Sequence, residues 1–115
     1  MTSKEMLKEI VNCLEEKKGE NIKAIDITKI SIIADYFVIV SGKNTNQIQA
    51  MANEIKEKLG RQGVEAKQVE GYNSAGWILM DYRDVIVHIF NEENRLFYDI
   101  ERIWSDGISI DTDKI

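Results

Sequence analysis

The chain has 115 residues, 43% hydrophobic and 30% charged, the composition of an ordinary globular domain with enough apolar material for one core. Lys and Arg total 15 against 20 for Asp and Glu, and the net charge of −5 argues against an extended phosphate-binding surface, leaving little direct nucleic-acid contact to expect. No apolar run approaches a membrane span, the lone Cys13 excludes an internal disulfide, and no basic-then-apolar leader opens the sequence, so the expected compartment is the cytosol.

Residues 2–18 place Met6, Leu7, Ile10, Val11 and Leu14 at helical spacing, with Thr2 and Glu5 as a capping box and Gly19 as the stop. Residues 22–27 read as a strand, followed by a turn signal at Thr28 to Ser31. Tyr36 to Val40 is an unbroken β-branched and aromatic run, the composition of a central strand buried on both faces. Residues 44–60 return to helical period through Ile48, Met51, Ala52, Ile55 and Leu59, with Asn44 and Gln47 at capping-box spacing.

A short strand is expected over Val64 to Val69, then a turn region at Gly71, Asn73, Ser74 and Gly76. Trp77 to Tyr82 and Val85 to Phe90 are extended runs separated by two residues, the spacing of an antiparallel hairpin. A last helix starts at Asn91, carries Glu92 and Glu93 in its first turn, and has the apolar stripe Leu96, Phe97, Ile100, Ile103 and Trp104. The order αββαβββα implies an α/β fold with a mixed sheet of about five strands and helices packed against it. One domain is expected over residues 1–105, with residues 106–115 as a mobile tail because no partner strand is evident for them.

Few residues carry chemistry. His88 is the only histidine, and a single imidazole in an apolar strand reads as a structural or partner-contacting group rather than a metal ligand. Cys13 sits beside Glu15 and Glu16, the opposite of a thiol-activating setting. The loop Ser41 to Thr45 lies where helix amides bind phosphate but lacks the glycine spacing of a nucleotide site. Asp35, Asp81 and Asp84 are the carboxylates that a metal-dependent nucleotidyltransferase would use, yet two of them flank a turn, and the DxD of Asp111 and Asp113 lies in the tail.

Trp77 differs in kind. Alternation puts Trp77, Leu79 and Asp81 on one face of their strand and Ile78, Met80 and Tyr82 on the other. Trp77 could close the core or anchor an interface; alternation favours the second, since its face reads as an aromatic anchor with an acidic rim and the opposite face as core.

Two stretches carry a resemblance. Asp35-Tyr36-Phe37-Val38-Ile39-Val40-Ser41-Gly42 with Asn46-Gln47 and Ala50 to Ala52 is one. Glu70-Gly71, Ser74-Ala75, Trp77-Ile78, Asp81, Val85 to Phe90, Arg95, Tyr98, Glu101 and Trp104 form the other. Together they resemble the ribosomal silencing factor family, also called the Iojap family. The resemblance implies a nucleotidyltransferase-like fold without its catalytic carboxylates, and a binder rather than an enzyme. Members of that family bind the large-subunit ribosomal protein L-fourteen and sterically block joining of the small subunit, repressing translation under nutrient limitation. The docking residues it implies here are Glu70, Asn73, Ser74, Trp77, Leu79, Asp81, Tyr82 and His88, with no cofactor and no metal. The sequence departs from the family at the hairpin, where Asp-x-Gly-Asp is replaced by Asp81-Tyr82-Arg83-Asp84. Two rivals stand beside this reading: the metal-dependent enzyme above, and a homodimer formed through the Trp77 face.

Overall fold

The computed structural model describes residues 1–74 and 76–115; Ala75, part of the Ser74-Ala75 pair, lies outside the described residues. Helix α1 spans Ser3–Glu16 and begins with the expected reciprocal cap: the Glu5 amide donates to Thr2 Oγ1 at 3.1 Å and the Thr2 amide to Glu5 Oε1 at 2.9 Å. Helix α2 spans Thr45–Arg61, with Asn44 Oδ1 accepting from the Gln47 amide at 2.8 Å. The return bond falls one residue early, since Gln47 Oε1 accepts from the Lys43 amide at 2.6 Å. Gln47 Nε2 also donates to the carbonyls of Lys17 and Lys18, so one side chain ties the end of α1 to the start of α2. The Lys43 amide, in the Ser41 to Thr45 loop, is thereby engaged by a side chain of α2.

The sheet has six strands rather than five: β1 (Glu20–Asp26), β2 (Tyr36–Gly42), β3 (Gln68–Glu70), β4 (Trp77–Asp81), β5 (Val85–Asn91) and β6 (Ile108–Ile110). Their spatial order is β3-β4-β5-β2-β1-β6, and only β2 and β5 run parallel. Strand β2 is the central strand expected, buried from Phe37 to Gly42. The third strand is shorter than expected, three residues instead of six. The sixth strand corrects the expectation of a fraying tail. Ile108, Ser109 and Ile110 pair antiparallel with Asp26, Ile25 and Ala24, and Ile110 packs against the main core. Three alternating residues carry too little pattern to announce a strand whose partner lies some 80 positions earlier.

Helices α1 and α2 cover one face of the sheet, burying Leu7, Ile10, Leu14, Ile48, Met51, Ile55 and Leu59 against Val38, Val40, Ile78, Met80, Val87 and Ile89. The other face is closed differently. The single last helix expected from Asn91 is two: α3 (Glu92–Tyr98), capped by Asn91 Oδ1 on the Asn94 amide at 2.7 Å, and the one-turn α4 (Ile100–Ile103). Between them Asp99 adopts a left-handed conformation, φ 46°. The apolar stripe assigned to this helix is therefore split: Ile100 is buried and Trp104 packs edge-on against Phe37, but Leu96, Phe97 and Ile103 face solvent.

What α3 turns inward is Arg95. Its Nε donates to Glu101 Oε1 at 2.7 Å, and its Nη1 donates to Ser41 Oγ at 2.9 Å and to the Glu20 carbonyl at 3.3 Å, beside an irregularity in the β1 pairing at Asn21. Lys23 Nζ lies 3.5 Å from the same Glu101 carboxylate, which the Arg95 hydrogen bond, then burial in the opposite sense and the two cations, hold below the usual carboxylate range.

At the β4–β5 hairpin, where the resemblance implies a glycine, Arg83 adopts the left-handed conformation that favours glycine, at φ 71°. Asp81 Oδ1 accepts from the Arg83 amide at 2.7 Å, and the Asp84 carbonyl accepts from the Asp35 and Tyr36 amides at 2.8 and 3.1 Å, pinning the turn to the start of β2. Left-handed backbone costs an L-residue about 1–2 kcal/mol, partly offset by the unfolded-state freedom a glycine adds. Arg83→Gly is expected to raise stability by ~1 kcal/mol, read as a higher urea midpoint with unchanged slope.

Candidate functional site

Residues paired across neighbouring strands share a face, so the register lays out the second side of the sheet directly. Glu70 stands opposite Leu79, and Leu79 opposite His88; Gln68 stands opposite Asp81, and Asp81 opposite Ile86; Trp77 stands opposite Phe90. Helices α3 and α4 close this face over β2 and β1. Towards β4 and β3 it opens: Trp77, Leu79, Asp81 and Ile86 are half-buried, and Glu70 is exposed. Alternation had separated the two sides of β4 correctly, since Ile78, Met80 and Tyr82 are buried in the main core.

Trp77 is neither a free anchor nor a simple core residue. Its ring stacks on Phe90 at 5.0 Å between centroids and leans on Tyr98 of α3 at 4.7 Å, while its indole N–H donates to His88 Nδ1 at 3.1 Å. This wall of Phe90 and Tyr98 is the part of the site without a docking role in the sequence reading, where both residues stand only among those that carry the resemblance and Tyr98 lies outside the helix's apolar stripe. Beside Trp77, a shallow hollow of about 180 Å³ is lined by Glu70, Gly71, Trp77 and Leu79.

The loop after β3 is built around Gly71, at φ 80°, where an added Cβ would fall 2.1 Å from the Trp77 carbonyl oxygen. Ser74 Oγ and its amide both donate to the Gly71 carbonyl. Tyr72 fastens this loop to α2: its carbonyl accepts from Gln49 Nε2 and its hydroxyl from Asn53 Nδ2, each at 2.9 Å. Asn73 and Ser74 are exposed beside the open strip.

Two of the expected docking residues are placed otherwise. Tyr82 lies in the main core, 3% exposed, and burial, then Cys13, pushes its hydroxyl up to about 12. His88 is 5% exposed, edge-on to Phe37 at 5.2 Å and stacked near Phe90 at 6.0 Å. It supports the site from beneath. Because Nδ1 accepts from Trp77, the neutral ring carries its proton on Nε2, which is buried with no acceptor among the described residues.

The remaining candidates do not assemble. Among the described residues no group of three or more His, Cys, Asp or Glu side chains is placed to hold a metal ion, and Asp35, Asp81 and Asp84 form no such group. Asp81 instead caps the hairpin turn. Cys13 is buried, and its thiol is pushed up to about 12 by burial and then by Glu9, Glu54 and Glu16.

Burial lowers the His88 imidazole from 6.5 to about 4. Between those values the unfolded chain binds a proton that the folded chain refuses, so stability falls as pH drops from 6.5 towards 4. The full difference is on the order of 3 kcal/mol. Denaturant titrations at pH 7, 5.5 and 4 are expected to show this loss in the wild type and a clearly smaller loss in His88→Leu; equal pH slopes would contradict the buried neutral histidine.

The comparisons with known proteins agree with this architecture. The family model described as "Ribosomal silencing factor during starvation" matches residues 1–115. A ribosomal silencing factor from Bacillus subtilis is 39% identical over 113 residues, covering 98% of this chain and 96% of that one. Another, from Halalkalibacterium halodurans, is 38% identical over 115 residues, covering 100% and 98%. The crystal structure of a protein from Chromobacterium violaceum superposes with a TM-score of 0.89 at 33% identity, covering 91% of this chain and 88% of the other. The chain belongs to the ribosomal silencing factor family.

Proposed function

We propose that this chain binds the large ribosomal subunit through the open side of β3 and β4 and thereby prevents the small subunit from joining. The observation that carries the reading is the strip itself: Trp77 and Leu79, two large apolar side chains, lie half-uncovered on a sheet face, with Glu70 opposite Leu79 on β3 and Asp81 following it on β4. A half-buried aromatic held rigidly beside an apolar neighbour, with carboxylates next to it, is the make-up of an interface hot spot for an oppositely charged partner. The family's name supplies the ribosome as that partner.

Within the large subunit the proposed contact is the protein L-fourteen, through Glu70, Asn73, Ser74, Trp77, Leu79 and Asp81. Contact with a basic protein surface rather than with bare RNA suits a chain of net charge −5. Blocking association is steric, so no catalytic group is required. The silencing would act in the cytoplasm, where translation takes place.

Three substitutions test this. Trp77→Ala is expected to weaken binding to purified large subunits by more than ~2 kcal/mol. Because Trp77 also packs on Phe90 and Tyr98, that variant will melt earlier as well, so Leu79→Ala and Glu70→Lys are needed beside it. Glu70 is exposed, so Glu70→Lys should leave stability alone and slow association most at low salt. Wild-type affinity in all three would overturn the proposed surface.

A further inference from the structure

The end of α3, where the sequence places Leu96 and Phe97 in a core-facing stripe, instead presents consecutive apolar side chains to solvent. Leu96 is 81% exposed, Phe97 78% and Tyr98 44%, within one short helix. These side chains are connected to the strip on β4: Phe97 meets Tyr98 edge-on at 5.0 Å between centroids, and Tyr98 leans on Trp77 at 4.7 Å. We propose that α3 is a second half of the docking surface, with Phe97 and Leu96 as its anchors, and that its occupant is a basic protein surface. The inference rests on the large subunit being the partner.

Charge selects the occupant. Glu92 stands four positions before Leu96, and Glu93 three before Leu96 and four before Phe97, so acids and apolar side chains share one stripe of the helix. Both glutamates are exposed, whereas the only cation of α3, Arg95, is buried and bound to Glu101. The exposed charges of α3 itself are therefore acidic, as are Glu70 and Asp81 on the far side of Trp77, while Lys23, beside Leu96 and Glu92, is paired with Glu101. A second copy of this chain would bring acidic rim against acidic rim and add to a net charge already at −5, which disfavours self-association through this patch. A cationic surface with an apolar recess satisfies both components. Isolated exposed apolar residues need no explanation, but a contiguous aromatic patch rimmed by like charge marks an interaction site.

The test uses the full chain and purified large subunits. Because their side chains face solvent, Leu96→Ser and Phe97→Ser should keep the wild-type melting temperature while lowering affinity by ~10-fold or more, as truncated interface anchors do. Glu93→Lys should slow association at low salt; faster association would overturn the basic occupant. Trp77→Ala separates the two levels of the argument. If it weakens binding while both serine variants bind like wild type, the α3 surface is wrong and the β4 surface stands; if none of the three weakens binding, both fail. Solution mass distinguishes the remaining case: a wild-type dimer made monomeric by Phe97→Ser, with subunit affinity unchanged, would make α3 a self-interface and overturn the inference.

Discussion

The guanidinium of Arg95 determines how the second face of this sheet is closed, and most of what is distinctive about the surface follows from it. A helix returning from β5 would ordinarily lay its apolar stripe on the strands. Here Arg95 reaches under α3 to the Ser41 hydroxyl on β2, to the Glu20 carbonyl at the irregular start of β1, and to the Glu101 carboxylate beyond the helix break. A buried ion pair adds little net stability over apolar packing, but removing one partner is expensive, because the other charge is left without compensation. Its effect is on specificity: with the Arg95 side of α3 facing the sheet, Leu96 and Phe97 face outward.

The left-handed Asp99 completes the device. It breaks the helix so that Glu101 can turn back to Arg95, while Ile100 and Trp104 continue over Phe37 and Ile25. The short helices thus cover β2 and β1 and stop at Tyr98. Beyond that point Trp77 is held from below by His88, from one side by Phe90 and from another by Tyr98, and the strip towards β3 stays open. Rigidity of this kind lowers the entropic cost of presenting an aromatic to a partner. Gly71 and the Tyr72 contacts to α2 do the same for the adjacent loop.

Much of this architecture is legible in the sequence because it is written in local period. The 3.6-residue repeats of α1 and α2, the doubly buried run of β2, the two-residue hairpin and the two faces of β4 all follow from patterns within single elements. What escaped depends on distant partners. Strand β6 exists only because β1 offers an edge. The break at Asp99 has no glycine or proline to announce it, and an arginine placed inward contradicts the usual tendency of that residue to lie outside. Tyr82 shows two kinds of inference in conflict: alternation assigned it to the core and family resemblance to the docking surface, and its burial agrees with alternation. Arg83 shows the limit of a motif, since the turn is left-handed here with no glycine to signal it.

The central claim is that an acidic, aromatic face occupies the large subunit where the small one must land. It is tested most directly by mixing purified large subunits with this chain, adding small subunits, and following joining by light scattering. The account expects wild-type protein to suppress joining in proportion to its occupancy of the large subunit, with suppression relieved by Leu79→Ala together with Glu70→Lys. Full joining on large subunits saturated with the wild-type chain would contradict it.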